Sequence, residues 1–241
     1  MRQITSDEFK QAVNKNPTWA STITEPIEIT DYCDMPNSKI THLSPLLTFS
    51  GKDKHGDSAN FSGCKNLKIA TGNYKGFVYF NKSGIEKIRN LKCGKDNSGD
   101  SANFSGCKNL RIATGNYEGA VNFSESGIEK IENLNCGKNN NGYSADFYGC
   151  KNLKVATGNY EGAVDFSYSG IEKIENLKCE KHKHRKSANF DDCKTLKIKD
   201  LSNKIIEQAI NQKWVGVDFK NELKKRLILA RIRESAIEIE F

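Results

Sequence analysis

The chain has no apolar run of the ~18 residues that a membrane-crossing helix needs, which excludes a helical membrane span. Residues 1–16 also lack a long apolar stretch, so no secretory signal is expected. Histidine is scarce, with 4 in 241 residues, and His42, His55, His182 and His184 stand in no H-E-x-x-H motif. Neither a P-loop nor a G-x-S-x-G elbow occurs, so phosphate cradling and serine hydrolysis have no basis in the sequence. Cys179-x-x-His182-x-His184 has the ligand types of a zinc site. However, Cys179 holds a position taken elsewhere by Cys93 and Cys136, and the matching loops Gly94–Asp100 and Gly137–Tyr143 contain no histidine. The expectation is no metal, no cofactor and no enzyme.

In place of motifs there is repetition. Ser58-Ala-Asn-Phe-Ser-Gly-Cys64 returns at Ser101–Cys107 and, slightly altered, at Ser144–Cys150 and Ser187–Cys193. Phe61, Phe104, Phe147 and Phe190 stand 43 apart. Phe80, Phe123 and Phe166 divide each interval into spacings of 19 and 24. A fixed period of this size means stacked structural units. After each Phe comes an apolar skeleton: Cys64-x-x-Leu67-x-Ile69 in one half and Ile88-x-x-Leu91-x-Cys93 in the other. The later copies are Cys107/Leu110/Ile112, Ile131/Leu134/Cys136, Cys150/Leu153/Val155, Ile174/Leu177/Cys179 and Cys193/Leu196/Ile198.

This L-x-x-L-x-L skeleton resembles a leucine-rich repeat over about 160 residues. Phe-Ser-Gly-Cys-Lys-Asn-Leu-Lys is similar to the BspA-like class of bacterial leucine-rich repeats, where an aromatic and a Cys precede the Leu. The resemblance implies a concave parallel sheet and a role in binding, with no particular partner. One feature departs from it: the usual Asn three residues past the third apolar position is Gly72, Gly115 and Gly158 here, while the other half has Asp96, Asn139 and His182 there. The turn there is expected to differ.

Repetition also settles the domain count, because each unit of a solenoid touches only its neighbours and 37% hydrophobic residues suffice. The expected fold is an α/β, β-rich leucine-rich-repeat solenoid, a 43-residue double repeat with helical caps at both ends. Residues 1–39 form the N-terminal cap, 40–200 the solenoid and 201–241 the C-terminal cap. Thr5-x-x-Glu8 is a capping box that starts a helix over 6–15, followed by a strand at Ile27–Tyr32. Strands are expected at Asn66–Ala70, Phe77–Phe80 and their copies, around an internal phenylalanine spine, with Tyr74, Tyr117 and Tyr160 in turns. Ser202 and Asp218 cap two C-terminal helices. Ile228, Leu229, Ile232 and Ile237 lie partly off the core stripe of the second, which suggests a docking helix.

Seven of the 8 cysteines hold two apolar repeat positions, Cys64/Cys107/Cys150/Cys193 and Cys93/Cys136/Cys179. Copies two coils apart are about 9–10 Å from each other, beyond the reach of a disulfide. Buried, reduced thiols and a cytoplasmic location follow as expectations.

The formal charge of +7 falls in residues 58–200, which hold 23 basic and 16 acidic side chains. The position between the second and third skeleton residues reads Lys68, Lys92, Arg111, Asn135, Lys154, Lys178 and Lys197. Stacked about 4.8 Å apart, these form a basic ladder on the concave sheet. Lys65, Lys108, Lys151 and Lys194 add a second row, and Lys181–Lys186 a basic loop. Glu86, Glu129 and Glu172 read as solvated surface. The function expected from this pattern is a non-enzymatic module that holds an acidic protein through Lys68, Lys92, Arg111, Lys154, Lys178 and Lys197. A nucleic acid is the alternative ligand, though outward aromatics for base stacking are missing. A bacterial effector delivered into a host cell without a signal peptide is the alternative setting.

Overall fold

The structure is a computed structural model that describes residues 1–180, 187–198 and 201–239, with backbone alone for 231–239. It is a parallel β-solenoid of about eight turns. Two sheets run along its length: an 11-stranded long sheet that includes Arg2–Ile4 and Lys173–Cys179, and an 8-stranded short sheet from Cys33–Asp34 to Ala188–Asn189. Every recorded pairing is parallel, as winding in one direction requires.

The phenylalanine spacing sets the turns. Phe61, Phe80, Phe104, Phe123, Phe147, Phe166 and Phe190 are all fully buried. Their rings stack in one column with centroids 5.1–5.6 Å apart and planes within 14° of parallel. Tyr74, Tyr117 and Tyr160, expected in turns, are buried strand residues that meet the column edge-on at 6.0–6.5 Å. Both geometries are favoured for aromatic pairs.

Six of the eight short-sheet strands end in an Asx turn. Asn60, Asn103, Asn122, Asp146, Asp165 and Asn189 each accept, through the side-chain oxygen, the backbone N–H two residues on, at 2.8–3.1 Å. Gly84, Gly127 and Gly170 follow, and a Cβ there would sit 1.9–2.0 Å from the carbonyl oxygen of Lys65, Lys108 or Lys151, so only glycine fits.

The strands of the long sheet are not those the skeleton suggests. Leu67 and Leu110 sit in a turn closed by hydrogen bonds from their N–H to Cys64 and Cys107, and the strands begin later, at Ile69–Ala70, Ile112–Tyr117 and Val155–Tyr160. Ile69, Ile112 and Val155 are therefore only half-buried, while Ala70, Ala113 and Ala156 are fully buried. The 24-residue turns carry one extra residue in the strand. Ala113 pairs with Ile131 but Gly115 with Leu134, and Asn133 takes the slack with φ of 48°. Asparagine tolerates this left-handed conformation better than most residues.

The ends are closed differently. Helix α1 (Ser6–Lys15) has the Thr5/Glu8 capping box, buries Val13, and packs the ring of Phe9 against Phe49 and Trp19. Arg2–Ile4, Ile27–Ile29 and Cys33–Asp34 belong to the two sheets, so the N-terminal segment is built into the solenoid itself. At the other end, α2 (Asn203–Asn211) is capped by Ser202 and α3 (Phe219–Ile239) by Asp218. Trp214 closes the phenylalanine column, 5.7 Å from Phe190.

All eight cysteines are free and buried. The thiols of Cys107, Cys150 and Cys193 donate to the carbonyl oxygens of Phe80, Phe123 and Phe166 at 2.9–3.1 Å. Burial pushes Cys64 and Cys150 up to about 11 and Cys33 and Cys179 to about 12, so little thiolate exists at neutral pH. Two outcomes follow. Phe123→Ala should cost about 3–5 kcal/mol in urea unfolding, the range for deleting a buried ring. Native protein should resist iodoacetamide over hours, whereas unfolded protein should take up label at every cysteine.

Candidate functional site

The six basic residues of the expected ladder do not form one row. The skeleton match equates Lys68 with Lys92, but the sheet pairs Ile69 with Lys87 and Lys92 with Asn73. The physical reason is the phenylalanine column. Side chains stack by their distance along the chain from the ring, and Lys68 follows Phe61 much more closely than Lys92 follows Phe80. Apolar spacing repeats at two different phases of the coil, so matching by spacing alone slips the register.

The true stack sets Lys68, Arg111 and Lys154 beside Glu86, Glu129 and Glu172. Glu86 N donates to Lys68 O, Arg111 N to Glu86 O and Glu129 N to Arg111 O, each at 2.9 Å. The side chains pair as well: Lys68 Nζ reaches Glu86 Oε1 at 2.8 Å, Lys154 Nζ reaches Glu172 Oε1 at 2.8 Å, and Arg111 bonds Glu129. Hydrogen bonding and the charge of Lys68 lower the carboxyl of Glu86, and Lys154 does the same for Glu172 with a smaller contribution from Lys197. The row is thus an alternation of signs. Like charges face one another in neither direction, which removes the repulsion that a basic ladder would carry.

The second lysine row also has a local role. Lys65 and Lys108 donate to the carbonyl oxygens of Lys82 and Glu125 in the next coil, both at 2.6 Å, and Lys151 bonds Tyr168 O. Those acceptors sit at residues with φ of 54–57°, so each lysine caps a left-handed corner. Lys181–Lys186 and the histidines of the considered zinc triad lie outside the described residues, as do Lys199 and Asp200.

Lys92 and Lys178 fall on a different row. In register along the long sheet run Asn73, Lys92, Asn116, Asn135, Asn159 and Lys178. Asn135 donates to Asn116 and Asn159 donates to Asn135, each at 2.7 Å, so the amides form a hydrogen-bonded ladder. Four strand spacings separate Lys92 from Lys178, about 19 Å. Neither lysine has an ion pair among the described residues. A shallow groove of about 380 Å³ opens along this row, bounded by Asn116, Asn135, Asn159, Lys178, Glu161 and Glu180.

The short sheet carries a feature that the sequence reading missed. Its outward row runs Asp34, Asn60, Tyr79, Asn103, Asn122, Asp146, Asp165 and Asn189. A groove of about 460 Å³ lies there among Asp100, Asp146, Asp165 and Tyr143. Burial raises the carboxyls of Asp100 and Asp146, and the neighbouring Asp165 raises Asp146 further. The signal was present in the Ala-Asn/Asp-Phe triplets, whose polar member always precedes the spine ring. The two sheets therefore differ in character: paired basic and acidic side chains beside an amide row on one, carboxylates and amides on the other.

A raised carboxyl is one whose charged form the fold disfavours, so its cost is absent at low pH and grows as pH rises through the carboxylate range. Asp146→Asn keeps the Asx acceptor, as Asn103 and Asn122 do naturally. It should raise Tm at neutral pH by about 2 °C in a chain of this size, and differential scanning fluorimetry should find that gain gone in acid. No protein-family model, curated protein or solved structure matches the chain.

Proposed function

We propose that the protein is a non-enzymatic binding scaffold of the leucine-rich-repeat kind, resembling the BspA-like class, that holds an acidic protein on the outer face of the long sheet. The observation that carries this reading is the row from Lys92 to Lys178. Two lysines without ion pairs among the described residues bracket a ladder of asparagine amides on a parallel sheet. Amides spaced at the strand repeat offer donors and acceptors to a peptide backbone or to carboxamide side chains. The bracketing ammonium groups, about 19 Å apart, attract carboxylates and steer the approach.

The register moves the proposed contact residues. Lys68, Arg111 and Lys154 are already satisfied by their glutamates and contribute a charge-balanced border. Lys197, whose charge reaches Glu172, lies at the end of that same border. Lys92 and Lys178 remain the residues with charge to offer. Nucleic acid is the weaker reading, because Tyr74, Tyr117 and Tyr160 are buried and present no ring for base stacking on this face.

The test is affinity capture from lysate at low and at high salt, with mass spectrometry and a nucleic-acid stain on the eluate. An acidic protein retained at low salt and released at high salt is the expected result. Lys92→Glu with Lys178→Glu should weaken its binding by at least about tenfold, while Lys68→Gln with Glu86→Gln should leave it within about twofold, as expected for an exposed, internally paired couple. Equal loss in both variants would sink the assignment of the row, and salt-sensitive nucleic acid in the eluate would replace the protein partner.

A further inference from the structure

The repeat departs from its own pattern on the short sheet. In the first copy Phe77 and Tyr79 cover the outer face, their rings 4.6 Å apart. One period later Ala120 and Asn122 hold those positions, and two periods later Ala163 and Asp165. Where the rings are missing, the groove of about 460 Å³ opens over the buried Ala102, Ala120 and Ala145. Phe77 and Tyr143 stand at its two ends, three strand spacings or about 14 Å apart. Tyr143 is itself a departure, because Asp57 and Asp100 hold that position in the earlier copies. The carboxylates are another. Asp146 and Asp165 are paired neighbours, where the coils before them carry Asn103 and Asn122. Either residue type supplies the Asx acceptor. The amides do so without setting like charges side by side, which destabilises a sheet. Asp100, Asp146 and Asp165 are half-buried and have no ion pair among the described residues.

We propose that this groove docks a basic peptide segment of another protein, laid in extended form with arginines in the groove. Charge selects the ligand: a cation relieves the repulsion between Asp146 and Asp165, which the fold leaves uncompensated among the described residues. The aromatics select arginine. Among the described residues the exposed large aromatics are Tyr143, Tyr148 and Tyr168, all on short-sheet strands or the turns that leave them. A planar guanidinium stacks on such rings and bonds both oxygens of a carboxylate. The fold already sets one cation against a ring here, with Lys151 Nζ 5.7 Å from the centroid of Tyr168. Length selects a peptide. Asp100 and Asp165 are three strand spacings apart, about 14 Å. One guanidinium cannot span that distance, whereas positions i and i+4 of an extended chain face the same way about 13 Å apart. The site involves neither Lys92 nor Lys178, so it stands independently of the proposed long-sheet partner.

Fluorescence anisotropy of a labelled peptide of alternating arginine and serine, titrated with the full chain, tests the proposal. Binding at low salt that weakens at high salt is the expected result. Asp146→Asn with Asp165→Asn keeps both Asx acceptors and should weaken binding by at least about tenfold, with unchanged circular dichroism. Ala120→Phe restores the ring that Phe77 supplies one period earlier. It should weaken binding as much, although every carboxylate remains. Glu86→Gln with Glu129→Gln removes the same charge from the long sheet and should leave the affinity within about twofold. A wild-type chain that ignores the peptide, or equal loss in the aspartate and glutamate variants, overturns the proposal. Spermine binding as tightly as the peptide would assign the groove to a small polyamine instead. Peptide binding that emerges only when Lys181–Lys186 are replaced by glycine and serine would assign it to that segment of the chain, and either result also overturns the proposal.

Discussion

Ring-on-ring stacking of the phenylalanine column is the constraint on which the rest of the molecule depends. Each coil contributes one ring, and the contact between successive rings sets both the rise and the phase of the next coil. Once the ring position is set, the other positions in the coil follow from their distance along the chain to that ring, to within the one-residue register shift of the long-sheet strands. The Asx oxygens immediately before the rings, the glycines behind them and the thiols that bond back to the ring residues' carbonyl oxygens all serve that one registration.

That dependence explains what could be read in the sequence and what could not. The phenylalanines recur at 19 and 24, which was enough to reveal stacked coils, a buried spine and thiols kept apart. Phase was harder. An apolar trio with the same internal spacing occurs early in one coil and late in the other, and spacing says nothing about phase. Lys68 and Lys92 looked equivalent for that reason, and Glu86, the true neighbour of Lys68, looked like unattached surface. Counting from the phenylalanine rather than from the leucine would have separated Lys68 from Lys92, but it sets Lys68 opposite Lys87, one residue past its true neighbour Glu86. Tyr74, Tyr117 and Tyr160 were misplaced by their neighbouring glycines, which signal a turn locally but here serve close packing within a strand.

The solenoid separates its tasks by surface. The interior carries registration. One outer row of the long sheet is internally neutralised, a second presents amides between two lysines, and the short sheet gathers carboxylates. Such separation is natural to a coil with two sheets, because a substitution at one outward position leaves the others in place. It also means that net charge is a poor guide here. In the row where a basic ladder was expected, Lys68, Arg111 and Lys154 already have glutamate partners.

The alternation of lysine and glutamate between consecutive coils has a further consequence for how such a chain can change length. Gain or loss of a whole pair of coils leaves every rung facing its opposite sign. Loss of a single coil would bring two lysines, or two glutamates, into contact and would also put a short turn against a short turn. The molecule is therefore quantised in pairs, with electrostatics and geometry enforcing the same parity.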